Sequence, residues 1–381
     1  MRVCVIVPSF YPAYYYGGSI FSIHDSLSAI SRSNFKIYVS TTSANGTKRL
    51  DVEKNKFLKI KKNYFVKYYF DEIINRFSFS FFLGIWKDVK KSNLVYIQDI
   101  FSIFAILGIF ASVFYKKKCL IAPRGSLSKY SLRSKFYFLK ILWVTIFFKP
   151  FNKHLYWHVT SSFEKKDIIQ QNFSGKIYII PNFLNINLRK IKKLKKYSWM
   201  RQEDKKKIRI GTLSRIDKKK GFDKLILSLI KELKLGKIIL SICGNDHGYL
   251  EELKKIVSKH KIDKGVYFLK PLYGYKKYQY LKSLDLFCLI SEHENFGNVY
   301  LEALASGTPI LASTNTPWQL VKKYKCGDIV ETKITSINRK IKFMLRNKNK
   351  FLKKNCYKLS KKFSIQNVKK FYSIMFNELK R

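Results

Sequence analysis

Two carboxylates eight residues apart, Glu294 and Glu302, stand in the stretch SEHENFGNVYLEALASGTPILAS that runs from Ser291 to Ser313. Glu294 belongs to the loop-like tetrapeptide Glu-Asn-Phe-Gly, whose Gly297 allows the backbone to approach a ligand closely. From about Asn298 the residues Val299, Leu301, Ala303, Leu304 and Ala305 read as a buried helix. Gly307 and then Pro309 end it, and Ile310 to Ala312 resumes as a strand. Eight helical steps of about 100° would leave the two carboxylates roughly 80° apart. With Glu294 in the loop, it projects forward from the helix start while Glu302 points sideways from the first turns. Between them the helix N-terminus offers unpaired N–H groups, a ready anion site. Carboxylates suit sugar hydroxyls and a helix N-terminus suits phosphate, so the stretch has the chemistry of a sugar-nucleotide site.

This stretch resembles the Glu-x7-Glu signature of retaining glycosyltransferases with the GT-B fold, the family 4 (group 1) type. Residue types, spacing and helix punctuation all agree with that motif. A second element supports the resemblance. Gly211-Thr212-Leu213-Ser214-Arg215 follows a strand, and Lys218-Lys219-Lys220-Gly221-Phe222-Asp223 opens the next helix. This is similar to the family's strand–Arg–x4–Lys-Gly element, which implies that Arg215 and Lys220 hold the donor diphosphate. The leaving nucleoside diphosphate gains negative charge, and two cations absorb it without a metal-binding Asp-x-Asp motif. A third element is Pro8-Ser9-Phe10-Tyr11-Pro12 leading to Gly17-Gly18-Ser19. It resembles the family's first-strand loop, where glycines let backbone N–H groups face phosphate; a plain turn is the bland alternative.

The resemblance implies roles for the remaining residues. Glu294 would bind donor-sugar hydroxyls and stabilise charge developing at the anomeric carbon. Glu302 would bind the ribose diol. Asn295, Phe296, Gly297 and Asn298 would line the donor site through their backbone. No catalytic nucleophile is assigned. Ala122-Pro123-Arg124-Gly125-Ser126 stands where several family members carry a histidine, so histidine-assisted chemistry is in doubt and Arg124 becomes a candidate cleft residue. Asp99 follows the strand Leu94–Gln98 and is either a cleft residue or a helix N-cap. Cys243-Gly244-Asn245-Asp246-His247-Gly248 resembles a degraded Gly-x-Gly loop and supports the fold only. Thr160-Ser161-Ser162, Glu164, Pro181-Asn182 and Thr316-Pro317-Trp318 look like further family landmarks.

Positioning these residues requires parallel sheets. Strand-like runs alternate with helical patterns, which predicts an α/β chain of two doubly wound, Rossmann-like units. The expected strands of the first are Val3–Val7, Lys36–Thr41, Leu94–Gln98, Cys119–Ala122, Tyr156–Thr160 and Lys176–Ile180. Those of the second are Lys207–Leu213, Lys237–Cys243, Gly265–Leu269, Leu284–Ile290, Pro309–Ala312 and Asp328–Val330. The expected organisation is therefore an acceptor domain over 1–183, an exposed linker over 184–206 and a nucleotide-sugar domain over 207–360. The family's GT-B fold, two such domains facing across a cleft, implies that a helix over about 361–381 returns to the first domain.

The 381 residues include 75 Lys and Arg against 25 Asp and Glu, a formal charge of +50. Such an excess suits an anionic membrane surface, nucleic acid or a phosphorylated substrate. The abundance of Lys, Ile, Asn, Phe and Tyr also fits codon bias of an AT-rich genome. No nucleic-acid-binding motif is found, so nucleic acid is not an expected partner. The segment from Tyr130 to Phe151 interleaves Arg133, Lys135, Lys140 and Lys149 with aromatic and aliphatic residues, and reads either as an interfacial helix or as a core helix with a basic edge. The longest uninterrupted apolar run, Ile100–Tyr115, has 16 residues, short of the ~20 a spanning helix needs. Six dispersed cysteines read as reduced, buried thiols of a cytosolic protein, and no signal peptide is evident. No metal-ligand cluster is seen, so no metal or other cofactor is expected.

The expected function is transfer of a sugar from a nucleotide-diphospho-sugar to a carbohydrate acceptor, a lipid-linked glycan at the cytoplasmic face of the plasma membrane, in surface polysaccharide biosynthesis. The competing expectation is an inactive GT-B scaffold that binds membrane or polyanion.

Overall fold

The structure is a computed structural model that describes residues 1–32, 35–74 and 77–380. The chain divides into two units, Met1–Phe183 with Ile365–Arg381, and Leu184–Ser364.

The strands of the first unit are β1 (Arg2–Ser9), β2 (Lys36–Thr42), β3 (Ala44–Asn45), β4 (Lys48–Arg49), β5 (Phe57–Lys61), β6 (Tyr64–Tyr69), β7 (Leu94–Ile97), β8 (Lys118–Ile121), β9 (Leu155–Val159) and β10 (Ile177–Ile179). Eight of them form one sheet in the order β10-β9-β8-β7-β1-β2-β6-β5. All neighbours are parallel except β5, which pairs antiparallel with β6 at the edge. Val3, Val5, Leu94, Val95, Leu120 and Ile121 are fully buried, as strands covered by helices on both faces must be. β5 and β6 were not foreseen: β5 is FLKIK, half-exposed, and shows no apolar alternation.

The second unit holds β11 (Ile208–Leu213), β12 (Ile238–Cys243), β13 (Val266–Leu269), β14 (Leu286–Leu289), β15 (Ile310–Ser313) and β16 (Gly327–Val330). They form an all-parallel sheet in the order β13-β12-β11-β14-β15-β16. The order reverses at β11 and β14, so the loops after these two strands flank a topological switch point, where open parallel sheets bind ligands.

Segment 184–206, expected as an exposed linker, is part of the second unit. Leu184 is buried and its N–H donates to the Phe363 carbonyl at 3.0 Å. Asn187 caps a short helix, Leu188–Lys193, and the Ile191 side chain on it is fully buried. Leu184 and Ile191 seat the segment, with Ile186, Leu188, Leu194, Tyr197 and Trp199 packed against the same core, at spacings that follow no single helical or strand period.

The helix Ile365–Lys380 belongs to the first unit. Val368, Tyr372, Met375, Phe376 and Leu379, on one helical face, are buried in its core. The Tyr372 hydroxyl donates to Ser26 Oγ at 3.3 Å and its ring meets His158 edge-on. Arg381, the end of the expected helix, lies outside the described residues. All six cysteines are buried and unpaired. Among the described residues no helix is long and apolar enough to cross a membrane.

Candidate functional site

The loop after β14 carries Glu294, and a second loop, after β11, is brought to it by one glycine. Gly221 has φ +66°, and a Cβ there would lie 2.2 Å from the Ile290 carbonyl oxygen. Only a glycine lets the Lys218–Lys220 turn close onto the end of β14. The Glu292 N–H donates to the Lys219 carbonyl at 2.9 Å, and Lys224 pairs with the Glu292 carboxylate.

This closure places Lys220 Nζ 2.5 Å from Glu294 Oε1. Ser291 Oγ donates to the same oxygen at 2.9 Å. Glu294 Oε2 makes no hydrogen bond among the described residues. Burial alone would raise the Glu294 carboxyl, but the Lys220 charge and hydrogen bond, the Ser291 hydroxyl and the Lys219 charge together hold it below the usual glutamate range. The group is therefore a buried, ionised carboxylate with one oxygen committed and the other open for a hydroxyl or a developing cation.

The loop is rigidly held. Glu294 N–H donates to the Asn315 carbonyl at 3.3 Å, Ser313 Oγ to the Ser291 carbonyl at 2.6 Å, and Trp318 Nε1 to the Phe296 carbonyl at 2.6 Å. Phe296 is buried against Trp318 and Phe363. Gly297 has φ +72°, and a Cβ there would meet the Tyr300 ring at 2.6 Å. The helix Asn298–Ala305 follows with no side-chain cap at its N-terminus. Gly307, at φ +81°, stands just past its end.

Glu302 lies on that helix and accepts from Lys277 Nζ at 2.6 Å through Oε1. Its Oε2 makes no hydrogen bond among the described residues. Lys277 comes from the helix Gly274–Ser283.

Arg215, after β11, is half-buried and its guanidinium has no hydrogen bond or ion pair among the described residues. Lys219 titrates below the usual lysine range: burial lowers it first, and Lys220 and Arg215 lower it further against the opposing pull of Asp217. Three cations thus converge with incomplete neutralisation, which is the electrostatic condition for an anion site. Gly244 closes the neighbouring loop, since a Cβ there would lie 1.8 Å from the Ser214 carbonyl oxygen. Asp246 accepts from the N–H groups of Gly248, Tyr249 and Leu250, so this loop serves helix capping.

In the first unit, Gly17 (φ +69°) precedes the helix Gly18–Ile30 and no side chain caps it. Gly18 is exposed. Arg124 (φ +54°) is held by Gln98 Oε1, at 3.0 Å from Nε and 2.6 Å from Nη2, and by Asn182 Oδ1 at 3.4 Å. Glu164 fixes this turn from beneath, accepting from the N–H groups of Gly125 and Thr160, both at 2.7 Å. The landmarks Thr160, Glu164 and Asn182 thus converge on Arg124. The N-cap reading of Asp99 is corrected: Ser102 caps the helix Ile103–Phe114, while Asp99 Oδ1 accepts from the Phe101 N–H at 3.3 Å.

The side chains missed in the sequence are Ser291, Lys219 and Lys277. Lys277 pairs with a residue 25 positions away, and nothing in the spacing announces it. A cavity of about 260 Å³ lies in the second unit, lined by Lys196, Lys282, Asp285, Lys348 and Lys353 among others, but it opens at the other end of the sheet and touches none of these residues.

Residues 195–363 match the family described as glycosyl transferases group 1. Among curated proteins, the chain is 32% identical over 104 residues to the alpha-monoglucosyldiacylglycerol synthase of Streptococcus pneumoniae, covering 27% of this chain and 24% of that protein. It is 27% identical over 173 residues to a probable sucrose-phosphate synthase of Thermosipho melanesiensis, covering 43% of this chain and 38% of that protein. These matches span at most about two-fifths of the relatives' length. Among solved structures, Anabaena HepE in complex with UDP and glucose superposes with a TM-score of 0.76 at 16% identity, covering 99% of each chain. The chain thus matches the glycosyl transferases group 1 family over residues 195–363, and its two Rossmann-like units have the GT-B fold.

Proposed function

We propose that the protein is a glycosyltransferase that takes a sugar from a nucleotide-diphospho-sugar and transfers it, with retention of configuration, to a hydroxyl of a carbohydrate acceptor. The observation that carries this reading is the buried Ser291–Glu294–Lys220 cluster, beside Arg215 and Lys219, at the switch point of the second sheet. It supplies an ionised carboxylate and several cations within one rigid loop pair.

Arg215, Lys219 and Lys220 would hold the diphosphate, with backbone N–H groups of Phe296 to Asn298 and the uncapped helix N-terminus. Glu302 Oε2 would accept from the ribose diol while Lys277 fixes Oε1. Glu294 Oε2 would accept from donor-sugar hydroxyls and stabilise positive charge at the anomeric carbon. In the transfer step the bond from the anomeric carbon to the phosphate oxygen breaks. The acceptor oxygen bonds on the same face, and its proton passes to the departing diphosphate. The three cations take the role that a divalent metal serves elsewhere, so no metal is required. Gly17 and Gly18 are proposed to bind the donor phosphate through their backbone N–H groups, and Arg124 and Asp99 to be cleft residues of the first unit.

UDP and UDP-sugars are the first donors to test, because HepE is solved with UDP and glucose. The proposed acceptor is a lipid-linked glycan at the cytoplasmic membrane face, in the assembly of surface glycans; the match to an alpha-monoglucosyldiacylglycerol synthase supports the lipid part of that reading. A thermal-shift panel of nucleoside diphosphates and nucleotide sugars tests the reading. A true ligand at about 100 times its Kd stabilises the fold by about 2.7 kcal/mol. A panel in which no member shifts the transition would refute it.

A further inference from the structure

The 64 residues from Ile100 to Phe163 contain ten Lys and Arg and no Asp or Glu. At the chain's own average, about four acidic residues would fall there. This acid-free stretch includes the helix Tyr137–Phe147 and the short helix Lys129–Arg133.

The longer helix is attached by one side only. Val144 and the following Phe148 are buried, and Trp143 Nε1 donates to the Ile100 carbonyl at 2.9 Å. Lys140 is turned back to the Ser131 carbonyl at 2.6 Å and Ser134 Oγ at 2.7 Å. The opposite face is apolar and open. Phe138 is 83% exposed, Leu139 62%, Leu142 54% and Ile146 49%, and Phe136 at the helix start is 72% exposed. Leu139, Leu142 and Ile146 follow the i, i+3, i+7 spacing of a single stripe. Lys129, Arg133, Lys135 and Lys153 are exposed on the flanking segments.

An outward apolar stripe flanked along the chain by exposed cations and no acids matches the interface of an anionic bilayer, where acyl chains take the stripe and headgroups take the lysines. A second copy of the chain fits poorly, because it would bring the same cationic flanks against themselves. We infer that the helix Tyr137–Phe147 inserts its Phe138–Leu139–Leu142–Ile146 stripe into the headgroup region of an anionic lipid bilayer and so docks the first unit on the membrane. This docking does not depend on the transfer reaction.

The test is vesicle flotation of the whole chain with phosphatidylglycerol–phosphatidylcholine vesicles and with phosphatidylcholine alone. Two variants accompany it, Leu139→Ser/Leu142→Ser/Ile146→Ser and Arg133→Gln/Lys135→Gln/Lys129→Gln. Circular dichroism and thermal melting confirm folding, and the outward position of all six side chains makes retention of the fold the expectation. Wild type binds the anionic vesicles and binds neutral ones at least 10-fold more weakly. The apolar triple variant loses at least 10-fold in binding and the fraction that survives 0.5 M salt. The cation triple variant loses binding at low salt, and donor affinity is unchanged in both. Wild type that ignores anionic vesicles at low salt, or an apolar triple variant that binds like wild type, overturns the proposal. So does a wild-type dimer that the apolar variant converts to monomer, since a second copy then covers the stripe.

Discussion

Lys220 Nζ lies 2.5 Å from Glu294 Oε1 across 74 positions of sequence, and both side chains are about nine-tenths buried. A charge pair this dry persists only with close geometry and further hydrogen bonds. Here Ser291 supplies one of them to the carboxylate.

Lys220→Ala leaves the Glu294 carboxylate buried without its cation and is expected to destabilise the protein by about 3 kcal/mol. Adding Glu294→Gln removes the uncompensated charge and recovers part of that loss. Urea denaturation of the wild type, both single variants and the double variant measures the coupling. Strict additivity would show that the two side chains do not depend on each other.

The ionised Glu294 sets an acid limit. Because its folded pKa lies below the ordinary value of 4.5, its contribution is complete above that pH and is lost as pH falls through the lowered value. Turnover should therefore hold down to about pH 5. In Lys220→Ala the residual activity should fall away at higher pH, because burial then raises the carboxyl against only the Ser291 hydroxyl and the Lys219 charge. Superimposable pH profiles would contradict this.

Arg215→Ala and Lys219→Ala should each weaken nucleoside diphosphate binding by about 10-fold or more while sparing the nucleoside, in line with loss of a charge-assisted contact. Glu302→Ala should instead weaken both alike through the ribose. Calorimetry with the two ligands separates these patterns, and equal losses for all three variants would refute the assignment.

His158 predicts a pH-dependent stability independent of catalysis. Its Nε2–H donates to the Ile180 carbonyl at 3.0 Å, and Nδ1 accepts from the Tyr96 hydroxyl. Burial first, and then the Arg124 charge, push it down to about 3. The unfolded chain takes up a proton near pH 6.5, which the folded one refuses until about 3. Stability is thus lost as pH falls between those values, at up to about 1.4 kcal/mol per unit. His158→Gln should flatten that slope in melts from pH 7 to pH 4.

The central strands of both sheets were legible because buried parallel strands are short, apolar and β-branched, as in Ile238–Cys243, whereas β6, the tyrosine-rich YFVKYY, was missed although it too is a largely buried parallel strand. β5 was not legible either, since an edge strand with two lysines and one isoleucine in exposed positions carries no clear period. Glu294, Lys220 and Gly221 could be read together because a local motif fixes each one. Ser291 and Lys277 could not, because their roles arise from contacts that only the folded chain makes. Of the two roles open to Asp99, the cap fails because Ser102, three residues on, takes that helix end. The helix Tyr137–Phe147 shows the limit of pattern: its stripe reads the same whether it faces core or solvent, and only exposure separates the two.

The most direct measurement is release of nucleoside diphosphate from a panel of nucleotide sugars, by the wild type and by Glu294→Gln, with and without EDTA. At least one donor should be consumed by the wild type, faster with added carbohydrate acceptor. The Glu294→Gln rate should be lower by roughly 10²-fold or more, and EDTA should change neither. A folded wild type that consumes no donor, or a Glu294→Gln variant that turns over at the wild-type rate, would contradict the assignment of Glu294 to the reacting sugar.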